Sequence, residues 1–96
     1  PYLSVAAALA SGLYGIEHKL PLKQKGITGN GYKDEVAPKL PRTLEEAADR
    51  MSRSKIAREL FGDAFVEHFA KTRLWEWRQF QASVTTWERE RYFEII

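Results

Sequence analysis

Hydrophobic positions follow three different regimes along the chain. From Leu3 to Ile16 the sequence LSVAAALASGLYGI runs fourteen residues without a charge. Ala, Leu and Val fall on every side of its helical wheel, which predicts a helix running through Lys19. Pro1 suits its first turn, Lys19 complements the dipole of its last turn, and Pro21 stops it. A helix apolar all round needs burial on all sides. A chain this short offers little interior, since small domains bury only about 60–70% of their unfolded surface. The chain also begins at Pro1 without a methionine. The expectation is a piece of a larger protein, with residues 1–20 a helix buried against surfaces outside it. Gly12 and Gly15 each weaken that helix by about 1 kcal/mol relative to alanine. Their presence points to close approach of another backbone.

Residues 21–42 show no sustained period and hold every proline except Pro1, together with Gly26, Gly29 and Gly31. This is a long loop, of the length that is usually functional. A helical period resumes at residue 43 and continues to Ile96. Thr43-Leu44-Glu45-Glu46 reads as a capping box, with Glu46 reaching back to the Thr43 N–H. A short helix follows to about Arg53. Ser54 caps a second, Lys55–Phe61, which Gly62 ends. Asp63 caps the longest helix, where Phe65, Phe69, Trp77, Phe80 and Val84 share a face, flanked by Val66, Ala70 and Leu74. Arg73 interrupts that stripe by laying its stem over apolar surface. Thr85 and Glu88 form a second capping box ahead of terminal turns that run to Ile96. The fold class is all-α, with no strand and no internal repeat.

Composition adds mainly exclusions. With 44% hydrophobic and 29% charged residues the chain is globular material rather than disordered. It has no cysteine, hence no disulfide, thiolate nucleophile or Cys-type zinc site, which fits a cytoplasmic protein. The net charge is +2, with six basic residues against three acidic ones in residues 1–42 and nine against ten in residues 43–96. That excess is spread over loops rather than gathered on one face, so nucleic acid is not an expected partner. Leu3–Ile16 is also shorter than the roughly 20 apolar residues a bilayer span requires, and no basic stretch precedes it as in a signal peptide.

Candidate chemistry is sparse. His18 and His68 share no metal-ligand spacing. Glu67, Glu76, Glu88, Glu90 and Glu94 alternate with basic residues, Glu67 with Lys71 at i,i+4, as on a solvated helix face. Gly26, Gly29 and Gly31 lack the preceding strand, following helix and lysine of a phosphate loop. Trp75, Trp77, Phe80 and Trp87, with Arg73 and Arg78, could stack bases. Their helical spacing and the acids among them favour helix packing and subunit contact instead.

The ordered motifs do resemble a known family. Pro1-Tyr2-Leu3 and Ala6-Ala7-Ala8-Leu9-Ala10-Ser11-Gly12-Leu13-Tyr14-Gly15-Ile16-Glu17-His18-Lys19-Leu20 resemble the pattern PYLxxAAxLxAGLxGIxxKL near the C-terminus of glutamine synthetases. Leu40-Pro41-Arg42-Thr43-Leu44-Glu45-Glu46-Ala47 looks like the family's LPxSLxEAL element. Phe61-Gly62-Asp63-Ala64-Phe65-Val66-Glu67-His68-Phe69 and Glu76-Trp77 look like its following helices, and Val84-Thr85-Thr86-Trp87-Glu88 with Tyr92 is similar to its terminal VTxWExxxY. Tyr14 stands where aspartate is usual and His18 where asparagine is, while the asparagine that would cap the first helix precedes Pro1. The Gly29-Asn30-Gly31-Tyr32 segment, the LPRTLEEA element and the WERERYFEII ending are closer to the glutamate–putrescine and γ-glutamyl-polyamine ligase branch.

The resemblance implies the C-terminal helical part of an α+β catalytic domain. Its parent would be a ligase that uses ATP with magnesium or manganese to join glutamate to ammonia or an amine. The family's catalytic and metal-binding residues lie upstream of the matched segment, so no catalytic, cofactor or metal residue is expected among these 96. The segment would be structural and inactive alone. Its partners would be the rest of the catalytic domain and neighbouring subunits of stacked rings, with Trp87, Tyr92, Ile95 and Ile96 at a subunit contact. Tyr32 occupies the place of a tyrosine that some bacterial members adenylylate, with glycine and lysine replacing the neighbouring leucine and aspartate. The competing expectation is a free-standing helical interaction module gripping a partner through residues 1–20.

Overall fold

Five α-helices and one 3-10 turn make up the regular structure of the residues that the computed structural model describes, 1–33 and 38–95. The order is α1 (Tyr2–Glu17), the 3-10 turn Gly31–Lys33, α2 (Leu44–Arg53), α3 (Lys55–Phe61), α4 (Asp63–Ala82) and α5 (Thr86–Tyr92). The described residues hold no strand, and the fold class is all-α. They belong to two units, Pro1–Lys39 and Leu40–Ile96.

In the first unit α1 stops two residues earlier than its pattern predicts. His18 is the C-cap and Lys19 lies beyond the helix at φ 49°, in the left-handed region. The Leu20 N–H donates to the Gly15 carbonyl at 2.9 Å and the Lys19 N–H to that of Ile16 at 3.1 Å. Together these bonds form a Schellman motif. Lys19 thus holds the position usually given to glycine rather than a dipole-facing place in the last turn. The left-handed conformation strains any residue with a Cβ. Lys19→Gly is therefore expected to stabilise this helix end by about 0.5–1 kcal/mol, the strain relieved being partly offset by the greater freedom of unfolded glycine. Slower amide exchange at Lys19 and Leu20 would show it. Beyond α1, the Asn30 side chain accepts the Tyr32 N–H at 3.0 Å and its carbonyl accepts the Lys33 N–H at 3.0 Å. These bonds set a 3-10 turn within the segment read as a loop.

The second unit is built from its caps inward. Thr43 Oγ1 accepts the Glu46 N–H at 3.1 Å, as the capping box requires. The Glu46 carboxylate, however, takes the Arg42 N–H at 2.9 Å, one residue before the partner its spacing predicts. Ser54 caps α3 through the Ala57 N–H at 3.1 Å. Gly62, at φ 83°, ends α3 and is itself the N-cap of α4. Asp63 is therefore the first residue inside α4 rather than its cap, and its carboxylate is free to bind Arg58.

The core forms where α2 packs on α4. Ala48, Val66 and Ala70 are its buried residues, and Val66 is wholly enclosed at 0% exposure. This departs in part from the expected stripe: Val66 and Ala70 on its flank are buried, Phe69 and Trp77 within it are half-buried, Phe65 and Phe80 are exposed, and Val84 lies past the helix end. Ala48 and Ala70 are small enough to let the two helices approach closely, and bulky rings are excluded from such a contact.

Candidate functional site

Three features stand out among the described residues: an uncovered apolar helix, an arginine-centred corner and an aromatic chain end. No residue of α1 is buried. Leu9 is 64% exposed and Leu13 59%, and Val5, Ile16 and Leu20 are exposed too. A Cβ built at Gly12 or Gly15 meets nothing within 4 Å, so the close backbone approach expected there is not made by the described residues. At the C-terminal end of α1 the His18 ring stacks on Tyr14 with centroids 3.8 Å apart, and its Nδ1 lies 2.9 Å from the Tyr14 carbonyl oxygen.

Arg58 organises the corner between α2 and α4. Its Nε and Nη2 donate to the Ser52 carbonyl at 2.9 and 2.7 Å, and its Nη1 donates to Asp63 Oδ1 at 2.9 Å. The Ser52 carbonyl is one of the last in α2 and has no helical donor beyond it. From this corner an aromatic ladder runs along α4. Phe61 and Phe65 have ring centroids 5.9 Å apart, and Phe65 and Phe69 stack at 5.7 Å. The Arg73 guanidinium then sits 5.2 Å from the Phe69 ring centre. Trp77 and Phe80 continue the row at 5.7 Å. Trp75 is exposed, about half a turn round the helix from Trp77, so these two rings do not share a face as the disfavoured base-stacking reading would require. The signal missed in the sequence was Arg58, whose role depends on a carbonyl six residues away.

At the chain end Trp87 and Tyr92 meet edge to face, with centroids 6.1 Å apart, and both are exposed along with Phe93 and Ile95. Thr86, Arg89, Glu90, Phe93 and Glu94 line an open hollow of about 460 Å³. The remaining residue expected at a subunit contact, Ile96, lies outside the described residues. Tyr32 is fully exposed on its turn.

Several carboxylates are engaged locally. Asp49 pairs with Arg53, Asp63 with Arg58 and Glu67 with Lys71. The hydrogen bond from Lys71, reinforced by its charge, holds the Glu67 carboxyl below its ordinary 4.5. The Thr85 N–H and hydroxyl donate to Glu88 Oε2 at 2.8 and 2.7 Å, and Thr85 Oγ1 accepts the Glu88 N–H at 3.2 Å. These bonds, the backbone one first, lower the Glu88 carboxyl below 4.5. Among the described residues no group of three His, Asp or Glu side chains converges as a metal site would require. No helix among them is long and apolar enough to cross a membrane.

The Glu88 box carries a pH prediction. Its folded-state carboxyl is lowered, so its contribution is complete above the ordinary value of 4.5 and is lost as pH falls below it. Helical signal and Trp87 fluorescence are expected to report loosening of α5 on acidification below that point. Glu88→Gln should abolish that pH-dependent step.

Comparison with known proteins adds a family match. Residues 1–92 match the model of the glutamine synthetase catalytic domain. The chain is 54% identical over its whole length to type-1 glutamine synthetase 2 of Dictyostelium discoideum, covering 19% of that protein. It is 49% identical over its whole length to a glutamate–isopropylamine ligase of Pseudomonas sp, covering 21% of it. It is 43% identical over 98% of its length to a gamma-glutamylethanolamide synthetase of Streptomyces coelicolor, covering 20%. The chain thus spans about a fifth of the length of the curated relatives it matches. No solved structure shows a significant match.

Proposed function

The chain belongs to the glutamine synthetase catalytic-domain family, as its C-terminal portion, and from that premise we propose that it is the structural end of an ATP-dependent glutamate ligase. The parent enzyme joins the γ-carboxylate of glutamate to the nitrogen of an amine or ammonia, with ATP converted to ADP and phosphate. The observation that carries this reading is the family match across residues 1–92. The likeness to relatives named for ligating isopropylamine and for making gamma-glutamylethanolamide supports an alkyl-amine acceptor. Within that class we favour a polyamine such as putrescine, on the Asn30-Gly31-Tyr32 segment and the terminal WERERYFEII.

The catalytic carboxylates, the nucleotide site and its divalent metal belong to the part of the enzyme outside these 96 residues. The local pairing of Asp49, Asp63, Glu67 and Glu88 supports that division. The segment supplies packing. The exposed leucines of α1 are covered by the remainder of the catalytic domain, and Trp87, Tyr92, Ile95 and Ile96 form a contact with a neighbouring subunit of a cytoplasmic ring. Tyr32, wholly exposed, is open to covalent modification in that setting.

The test is phosphate release by the full-length enzyme with ATP, magnesium and glutamate, against ammonia, isopropylamine, ethanolamine and putrescine. Release that requires both glutamate and an amine is expected, fastest with putrescine. No glutamate-dependent release with any acceptor would overturn the ligase reading. The structural part has a separate test in the double variant Leu9→Glu, Leu13→Glu, which charges one face of α1. Loss of assembled, soluble enzyme is expected, and a fully assembled, active double variant would refute burial of α1. The uncovered α1 also suits a free-standing interaction module; that second reading requires the full-length protein to lack glutamate-dependent activity.

A further inference from the structure

Asn30 is the only asparagine of the chain, and a glycine follows it. Both residues are exposed, where the chain enters the 3-10 turn Gly31–Lys33. Asparagine is a thermally labile residue, because its side-chain amide carbon can be attacked by the backbone nitrogen that follows it. Three observations bear on that attack here. The Asn30 Oδ1 accepts the Tyr32 N–H at 3.0 Å, so the side chain is folded forward along the chain over Gly31. The same hydrogen bond aims a donor at the oxygen that gathers negative charge when Cγ is attacked, as an oxyanion hole does. The Gly31 N–H donates to no acceptor among the described residues, and a Cβ built at Gly31 meets nothing within 4 Å. The nucleophile is therefore unengaged, and neither a side chain of its own nor a neighbour crowds its approach.

We propose that Asn30-Gly31 is a self-modifying site, which closes to a succinimide in the native fold and so resets the turn that carries Tyr32. The Gly31 nitrogen bonds to the Asn30 Cγ, its proton passes through solvent to the departing side-chain nitrogen, and ammonia leaves. One water then adds to either carbonyl of the ring and breaks that carbonyl's bond to nitrogen. Opening at the former side-chain carbonyl leaves aspartate at position 30, and opening at the former backbone carbonyl leaves isoaspartate. Water is the only co-reactant, and glutamate ligation plays no part. In the aspartate form a carboxylate accepts the Tyr32 N–H, which is a stronger, charge-assisted bond. In the isoaspartate form the main chain runs through the former side chain and is one atom longer. The Asn30 carbonyl, which accepts the Lys33 N–H at 3.0 Å, becomes a carboxylate off the main chain. The turn under Tyr32 then loses the backbone bond that closes it.

Incubation of the full-length enzyme at neutral pH in heavy-oxygen water tests this. Digestion in ordinary water then leaves any later conversion unlabelled. Mass spectrometry of the tryptic peptide Gly26–Lys33 should show the side-chain nitrogen replaced by one labelled oxygen, with both aspartate and isoaspartate at position 30. Aspartate alone would mean direct hydrolysis without a ring, and no conversion would mean a protected side chain; either overturns the proposal. The same conversion is followed in enzyme unfolded by guanidinium. An equal or faster rate in the folded enzyme is expected, since the turn holds Cγ beside its nucleophile and a donor on Oδ1. A slower rate when folded would overturn the proposal. G31A puts a methyl group beside the attacking nitrogen at a place where the fold has room for it. It should slow the conversion about 10-fold, equivalent to about 1.4 kcal/mol of barrier. An unchanged or faster rate in G31A would overturn it as well.

Discussion

Arg58→Ala is expected to open the corner between α2 and α4, lowering its local stability by about 2–3 kcal/mol, the range of a charge-assisted hydrogen bond to a carbonyl that then has no donor. Two guanidinium nitrogens converge on the Ser52 carbonyl within 2.9 Å. That carbonyl is among the last of α2, and the chain turns away at Ser54, so no helical N–H can replace them. The Asp63 ion pair contributes much less. Its carboxylate side chain is 79% exposed, and exposed pairs are worth about 0–1 kcal/mol. Asp63→Ala is therefore expected to cost under about 1 kcal/mol, and comparing the two variants separates carbonyl capping from charge pairing. Arg58→Lys should recover little, because a single ammonium cannot reproduce the fork that grips both neighbours. Amide exchange in the last turn of α2 and throughout α3 is the measurement. A rise of about 30-fold or more for Arg58→Ala, with little change for Asp63→Ala, is the expected pattern. Equal effects would transfer the role to the ion pair.

The helix ends were legible in the sequence because capping is local. Thr43, Ser54 and Thr85 each bond an N–H three residues on, and Gly62 takes the positive φ that its type suggests. Lys19 shows where local reading stops: a lysine in the left-handed position carries no compositional mark, and only the two Schellman hydrogen bonds reveal it. The choice of buried residues on α4 held only in part, for a different reason. Ring size and helical period pointed to Phe65 and Phe80, yet what decides burial is the opposing surface. The residues buried where α2 packs on α4 are Ala48, Val66 and Ala70, and so small a core leaves Phe65 and Phe80 outside it. The Arg58 corner was hidden likewise, since its acceptor is a backbone carbonyl that any residue could supply. For function, the ordered motifs from Pro1 to Tyr92 carried the family. The amine acceptor was not legible, because no substrate-contacting residue could be assigned among the matched positions.

Charging the centre of the α2–α4 contact should have the largest effect of any single substitution in this layer. Val66 is wholly enclosed, and the other buried residues of this layer are the alanines Ala48 and Ala70. No polar or charged side chain is buried among the described residues, so Val66→Asp places a carboxylate without a buried partner, and an uncompensated buried charge costs about 3–5 kcal/mol. In a layer whose buried apolar side chains are so few, that is enough to separate α2 from α4. Val66→Ala removes two methyl groups and is expected to cost about 1.5–3 kcal/mol, including the cavity it leaves. The two variants differ in their pH response. Burial raises the introduced carboxyl above its unfolded value of about 3.9, so the native state holds the proton to higher pH than the unfolded chain does. Stability of Val66→Asp must then fall as pH rises from about 4 until the raised folded value is passed. The Val66→Ala penalty should stay flat across that window. Urea midpoints of the two variants at a series of pH values, followed by tryptophan fluorescence, would distinguish them. A pH-independent loss in Val66→Asp would mean that α2 and α4 part readily enough to hydrate the carboxylate, and that their contact is weaker than its full burial of Val66 implies.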